Sequence, residues 1–118
     1  MVFNHEKLNV YQRMLSFNAQ VVIWTGEWDR KHAIRDQFSR AAGSILENIA
    51  IAEGNGRFSN ADQARFLGTS HESAIKLAAR LDLCVTQHFL PQDEVIEWKA
   101  LLKRVSDMTS AMIAGVQQ

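Results

Sequence analysis

A helix boundary lies in Glu53-Gly54-Asn55-Gly56-Arg57-Phe58-Ser59-Asn60, and the rest of the chain can be divided from this point outward. Gly54 can take the left-handed conformation that ends a helix, and Asn55-Gly56 continues the turn. Ser59 offers an N-cap oxygen, and Asp62, three residues later, imitates the acidic member of a capping box. We therefore predict that one helix ends in this stretch and that another begins.

Two weaker breaks divide the chain on either side of this boundary. They are Thr25-Gly26-Glu27-Trp28-Asp29 and His88-Phe89-Leu90-Pro91. Gly26 suits a helix end, Asp29 suits an N-cap, and Pro91 has the fixed backbone angle of a first helical turn. Three breaks leave four segments, for which we predict helices over residues 6–25, 30–53, 60–88 and 91–116.

The four segments share one hydrophobic pattern, in which apolar residues recur at spacings of three and four and so lie on one helix face. The chain has one proline and six glycines, too few for the frequent turns of a sandwich or barrel. Short loops between four amphipathic helices predict an all-α fold, an antiparallel up-down-up-down four-helix bundle. A length of 118 residues predicts a single domain, residues 1–118, that needs no metal or disulfide.

Charge and composition exclude several classes of protein. Lys plus Arg and Asp plus Glu both total 13, so the chain is neutral and any nucleic-acid contact must come from a local patch. Cys84 is the single cysteine, which excludes an internal disulfide framework and a thiolate zinc site. The N-terminus is polar, and no apolar run approaches the roughly 20 residues of a membrane span. We therefore expect a cytoplasmic protein without membrane contact.

The first helix carries two apolar stripes where a bundle helix normally needs one. The first stripe consists of Leu8, Tyr11, Leu15, Ala19 and Val22, and the second of Val10, Met14, Phe17, Val21 and Trp24. We predict that the second stripe is exposed on a monomer and forms an oligomer interface, because large exposed apolar patches usually mark interfaces. The predicted interface residues are Met14, Phe17, Val21 and Trp24. The alternative is a first helix seated deeply between two neighbours.

Candidate catalytic groups are scarce. Cys84 and His88 are one helical turn apart, but Cys84 lies in an apolar helical run, where cysteine is usually a small buried hydrophobe. His71 lies in the core stripe of the third helix, a position typical of a hydrogen-bonded interior histidine. The Glu-x-x-His pairs of a di-metal bundle are missing, and the Gly54-Asn55-Gly56 turn lacks the lysine of a phosphate-binding loop. We predict no enzyme, no catalytic or metal-binding residues, no cofactor and no small-molecule substrate.

Clusters of basic residues are the remaining signal for a binding function. The candidates for contact with nucleic acid or a partner protein are Arg30, Lys31, Arg35, Arg40, Arg57, Lys99, Lys103 and Arg104. Each cluster also has acidic neighbours, so the alternative is an ordinary solvated helix face. Repetition of weak patches around an oligomer would increase their combined affinity for a polyanion.

Several stretches resemble a bacterial four-helix-bundle family that includes proteins encoded by ribosomal-RNA intervening sequences. They are residues 8–12, 36–45, 48–50, 52–59, 65–67, 72–74 and 81–82. The most specific part is Asn48-Ile49-Ala50 with the following Ala52-Glu53-Gly54-Asn55-Gly56-Arg57-Phe58-Ser59. The resemblance implies an antiparallel bundle that assembles into a pentameric ring. A related branch comprises accessory proteins of diversity-generating retroelements, which bind a reverse transcriptase and its RNA.

The chain departs from this family in two ways. Members of the retroelement branch tend to be strongly basic, whereas this chain is neutral, which leaves binding to a partner protein open but argues against direct RNA binding. The usual Asn-Ile-Ala-Glu-Gly motif is also interrupted here by Ile51-Ala52, and two added residues turn an α-helix by about 200°. Either part of the second helix lies off the family register or a local bulge absorbs the change. We predict that Asn48 and Glu53 are structural and satisfy buried polar groups near the turn.

Two hypotheses of function follow. The first is a non-enzymatic oligomeric adaptor or scaffold of nucleic-acid machinery, in its sharper form the accessory subunit that binds a reverse transcriptase and its RNA. The alternative is a self-assembling structural protein of the ribosomal-RNA intervening-sequence type without direct nucleic-acid binding. Salt-dependent retention of RNA distinguishes the two, because a polyanion binder loses affinity steeply as salt rises.

Overall fold

The computed structural model describes residues 3–26, 31–55 and 59–116, which are helical apart from short connections. A 3₁₀ helix, Asn4–Lys7, is followed by four α-helices: α1 (Asn9–Gly26), α2 (Lys31–Asn55), α3 (Asn60–Thr86) and α4 (Gln92–Val116). The predicted all-α class with four helices is confirmed. Helix α1 begins three residues later than predicted, because the 3₁₀ helix precedes it and Leu8 between them is extended.

The start of α3 agrees with the sequence, whereas the end of α2 does not. The Ser59 hydroxyl accepts a hydrogen bond from the Asp62 backbone N–H at 3.1 Å, which confirms the predicted N-cap. Gly54 does not adopt the left-handed conformation expected of it, and α2 continues to Asn55. Residues 56–58, which complete the predicted turn, lie outside the described residues.

Helix α3 ends two residues earlier than predicted, in a turn built on a left-handed histidine. His88 has a φ of 65°, the only positive φ among the described residues. The Phe89 N–H donates to the Cys84 carbonyl at 2.9 Å and the His88 N–H to the Val85 carbonyl at 3.1 Å. These two bonds form a Schellman motif, which turns the chain toward Pro91 and α4.

The hydrogen bonds between helices establish their relative directions. Arg80 of α3 donates to the Gln37 carbonyl of α2, and Ser70 of α3 donates to the Ile45 carbonyl. The residue number therefore rises along α2 as it falls along α3, which makes the two helices antiparallel. Helix α1 contacts α2 and α4, α2 contacts α3, and α3 contacts α4, whereas the diagonal pairs do not meet within the described ranges. These sequential contacts are those of an up-down bundle.

The core is built from the faces that the four helices turn toward one another, and it changes character along the bundle. One half, the aromatic half, contains Phe17, Trp24, Phe38 and Cys84, with Trp98 packed against them. The Phe17 ring lies 5.4 Å from that of Trp98 and 6.2 Å from that of Trp24, both edge-on.

Further along the bundle lies a polar layer, which crosses α2, α3 and α4. Its members are Ser44, Asn48, Ser70, His71, Ser73, Ser106 and Thr109. Ser70 and Thr109 are fully buried, and the described part of the chain has no buried side-chain polar atom without a hydrogen bond. Short hydroxyl side chains therefore let the three helices approach closely without leaving polar groups unpaired.

The residues Ile51-Ala52, which interrupt the motif of the family that the sequence resembles, continue α2 without a bulge. The segment from Lys31 to Asn55 is α-helical throughout. Ala52 is fully buried and Ile51 remains 40% exposed. The register therefore runs unbroken from Ser44 through Glu53, and the bulge considered from the sequence is absent from this helix.

Candidate interaction surfaces

The four residues predicted to form an oligomer interface belong to the core of their own chain. Met14, Phe17, Val21 and Trp24 are all buried, the first three completely. The expectation that they lie exposed on a monomer is therefore wrong. The physical reason is that α1 packs against both α2 and α4. On the α4 side, the Trp98 ring packs against Phe17 and the Glu94 carboxylate accepts a 3.0 Å hydrogen bond from the Trp24 indole. For these residues the alternative holds, a first helix seated between its neighbours.

The surface of α1 is formed instead by residues of the first stripe together with Ile23. Leu15, Val22 and Ile23 are 43%, 50% and 61% exposed, and Ala19 between them is exposed as well. We call these four residues the α1 face. Arg13 is the one charged side chain in the 18 residues of α1, and it pairs with Glu97 of α4 at 3.1 Å. An apolar surface with so few charges is typical of the core of a protein interface.

A second apolar surface, not anticipated from the sequence, is a groove between α3 and α4. This α3–α4 groove is lined by Ala74, Ile75, Ala78, Lys99, Leu102, Lys103 and Ser106, and its volume is about 260 Å³. Ile75 is 53% exposed at its wall. One available signal was that Ile75 falls outside the core stripe of α3, but the groove also depends on how α4 is placed beside it.

The lysines at the rim of this groove were predicted to contact nucleic acid, and each pairs with an acid of its own chain. Lys99 Nζ lies 2.6 Å from Asp82 Oδ1, and Lys103 Nζ lies 2.7 Å from Asp107 Oδ1. Both pairs reach solvent, so each contributes little to stability. They do neutralise the rim of the groove.

The other predicted basic residues do not form one patch. Arg40 on α2 and Arg104 on α4 are exposed, but they belong to helices that do not contact each other in the described ranges. Arg35 is half-buried on α2. Arg30 and Arg57 lie outside the described residues, and so does the side chain of Lys31. Within a single copy, the described basic residues are therefore distributed over separate sides of the bundle.

The predicted structural residues Asn48 and Glu53 differ in what the structure shows of them. The Asn48 amide donates to the Ser44 carbonyl at 2.8 Å and lies 3.3 Å from the Ser44 hydroxyl, which itself lies 2.8 Å from the Ser73 hydroxyl. Asn48 thereby belongs to the polar layer, as a structural role requires. Glu53 is half-buried near the end of α2, and its role stays a prediction.

His71 occupies the α4 side of the polar layer. Its Nδ1 lies 3.1 Å from the Ser106 carbonyl oxygen and 3.2 Å from the Thr109 hydroxyl. A carbonyl oxygen only accepts hydrogen bonds, so the bond to Ser106 forms in the tautomer that carries the proton on Nδ1. The Thr109 hydroxyl gives its own proton to the Val105 carbonyl at 2.8 Å. His71 thus joins α3 to α4 as a hydrogen-bonded interior residue.

The two groups considered for nucleophilic chemistry, Cys84 and His88, lie in different environments. Cys84 is buried, and burial raises the pKa of its thiol from 9.0 to about 11, so the thiol stays protonated near neutral pH. His88 lies beyond the end of α3, with its side chain exposed. The described residues contain no group of three or more His, Cys, Asp or Glu placed to hold a metal ion.

The comparisons with known proteins give one match. The model of a family described as 23S rRNA-intervening sequence protein matches residues 6–111. Neither the comparison with curated proteins nor that with solved structures finds a match. Among the described helices, none combines the length and the hydrophobicity that crossing a membrane requires.

Proposed function

The chain belongs to the 23S rRNA-intervening sequence protein family, and from this premise we propose that it is a non-enzymatic, self-associating adaptor of nucleic-acid machinery. In its sharper form, the proposal makes it the accessory subunit of a reverse transcriptase, assembled as the five-membered ring that the sequence resemblance implies. The observation that carries self-association is the α1 face, an exposed and charge-free apolar surface.

The charges of the chain favour a protein as its direct partner over RNA. The net charge is zero, and Lys99 and Lys103 are already paired with Asp82 and Asp107. A surface that binds RNA mainly through phosphates needs unpaired cations. Arg35, Arg40 and Arg104 have no ion pair within the described residues, and copies of these arginines repeated around an oligomer would supply the RNA contact of the adaptor.

The same ion pairs favour a second candidate function. A self-assembling structural protein without direct nucleic-acid binding also needs an apolar contact surface, and it has no need of free lysines. The genes next to the coding sequence separate the two functions. A reverse transcriptase gene beside a repeated template supports the adaptor, whereas an insertion within ribosomal RNA supports the structural protein.

The first test of the proposal is the mass of the protein at micromolar concentration, measured by light scattering. We expect an oligomer, and Ile23→Asp should lower the mass because it places a charge on the most exposed of the three large apolar residues of the α1 face. Ala33→Asp, at an exposed position of α2, is the matched control and should leave the mass unchanged. A monomeric unmodified protein would contradict the proposal.

The second test is retention of single-stranded RNA as a function of salt. If the arginines bind phosphates, Arg40→Ala and Arg104→Ala should each flatten the salt dependence, by a slope of about 0.7 for each phosphate that is no longer neutralised. Arg65→Ala is the control, because Arg65 pairs with Asp62. An oligomer that retains no RNA even at low salt would favour the structural protein.

A further inference from the structure

We propose that the α1 face of one copy docks into the α3–α4 groove of a second copy, so that copies join head to tail. This inference rests on the self-association in the proposed function and specifies which two surfaces meet. The α1 face consists of Leu15, Ala19, Val22 and Ile23, and the groove is centred on Ala74, Ile75, Ala78 and Leu102.

The two surfaces lie on different sides of one copy. Helix α1 contacts α2 and α4 but not α3 within the described ranges, and the groove lies along the outside of the α3–α4 pair. A copy therefore cannot cover its groove with its own α1 face. Each copy offers one surface to a neighbour on one side and the other surface to a neighbour on the other side, which is a heterologous contact.

The shapes of the two surfaces match. The α1 face presents the branched side chains of Val22 and Ile23, whereas Ala74 and Ala78 leave the groove open on its α3 side. The α1 face extends over residues 15–23 and the groove over residues 99–106 of α4, so at 1.5 Å per residue they are about 12 Å and about 10 Å long. Large residues against small ones over similar lengths let two helices pack closely.

The charges of the two surfaces match as well, and they favour a second copy over a charged occupant. The α1 face carries no charged side chain. The groove needs no charged partner, because Asp82 and Asp107 neutralise its two rim lysines. An RNA strand or an acidic peptide would need those lysines free. A neutral apolar helix face suits the groove better, and the α1 face of another copy is such a surface.

The test uses one charged substitution in each surface of the full chain. Ile23→Asp damages the α1 face and Ile75→Asp damages the groove, and we expect each variant alone to have the mass of a single copy. Leu83→Asp is the matched control, because Leu83 is on the same helix as Ile75, is 55% exposed and lies outside the groove. It should leave the oligomer intact.

Mixing the two damaged variants gives the decisive measurement. Each retains one intact surface, so an equimolar mixture should form a dimer of one Ile23→Asp copy and one Ile75→Asp copy, and nothing larger. Sedimentation should therefore show twice the single-copy mass only in the mixture. Circular dichroism checks that both variants fold, and Ile23→Ser with Ile75→Ser replaces them if either does not.

Three results would overturn the inference, and they differ in what they say of the proposed function. If Ile23→Asp dissociates the oligomer but Ile75→Asp does not, the α1 face meets another surface and self-association stands. If the mixture stays monomeric while the unmodified protein assembles, the two surfaces do not meet each other. If the unmodified protein is itself a monomer, the inference and the proposed self-association fail together.

Discussion

The aromatic half and the polar layer hold the same bundle together by different means. In the aromatic half, the rings of Phe17, Trp24 and Trp98 fill the space between α1 and α4. In the polar layer, the Ser70 hydroxyl of α3 donates to the Ile45 carbonyl of α2, and the His71 ring of α3 bonds to the Ser106 carbonyl of α4, so hydrogen bonds join the three helices. The difference shows that α1 is attached mainly by apolar area, with side-chain hydrogen bonds from Arg13 and Trp24 to α4. The other three helices are held in register by hydrogen bonds within the polar layer.

Phe17→Ala should cause the largest loss of stability among these variants, because it removes the ring that joins α1 to α4. We expect the free energy of unfolding to fall by about 3–5 kcal/mol, as for other buried phenylalanines. Chemical denaturation followed by circular dichroism measures it. Ile51→Ala, at a position 40% exposed on α2, is the control and should cost less than about 1.5 kcal/mol. Equal losses for the two variants would show that the aromatic half is not a packed core.

Cys84, in the aromatic half, should make the free energy of unfolding of the protein depend on pH in the alkaline range. The pKa of its thiol is about 11 in the folded protein against an ordinary value of 9.0, so the unfolded chain loses the proton first as pH rises. The free energy of unfolding should therefore fall between about pH 9 and 11, by up to about 1.4 kcal/mol per pH unit.

Comparison with Cys84→Ala isolates the part of this slope that is due to the thiol. The variant keeps every other titratable group of the chain. The difference in stability between the two proteins should shrink as pH rises above 9. A constant difference from pH 8 to 11 would mean that Cys84 ionises equally well in both states.

Ser70→Ala tests the polar layer with a smaller expected effect. The variant removes the 2.8 Å hydrogen bond from Ser70 to the Ile45 carbonyl, and we expect the free energy of unfolding to fall by about 0.5–1.5 kcal/mol. Ser39→Ala, at an exposed position of α2, corrects for the higher helix propensity of alanine. The comparison between the two regions fails if both serine variants are equally stable.

His88→Gly should have the smallest effect, and it should stabilise the protein. A left-handed φ of 65° disfavours histidine but not glycine, so we expect a gain of about 0.5–1 kcal/mol. His88→Ala keeps the penalty of a Cβ atom and serves as the control. A higher melting temperature for His88→Gly alone would confirm that the turn between α3 and α4 stores this strain.

Local signals in the sequence were sufficient for the helices and insufficient for their orientation. The Ser59 cap and the spacings of three and four depend on neighbours within a turn or two, so they predicted the four helices well. The rotation of α1 about its axis depends on Trp98 and Glu94, which lie far along the chain on the last helix. Since α1 is apolar on two sides, its pattern alone did not reveal which side faces α4, and the interface was assigned to the buried side.

Some features of the turns and of the candidate surfaces could not be predicted from the sequence. A histidine in the left-handed region at His88, and a Gly54 that stays helical, both oppose the usual preferences of these residue types. The α3–α4 groove needs Ile75 and Leu102 from two helices, so it exists only after the helices have packed. Likewise, the sequence supplied Lys99 and Lys103 as cations with Asp107 as an acidic neighbour, but it did not show that Asp82 of α3 pairs with Lys99.

Each helix contacts the next one along the chain, and α1 also contacts α4. This arrangement has a consequence for the order in which the chain folds and unfolds. Three of the four interfaces between helices join helices that follow each other directly along the chain, and such local pairings form quickly. The fourth interface, between α1 and α4, includes the hydrogen bond from Trp24 to Glu94, and forming it closes a loop that spans 70 positions. We expect this interface to form last during folding and to separate first during unfolding, so amide hydrogens of α1 should exchange with solvent before those of α3.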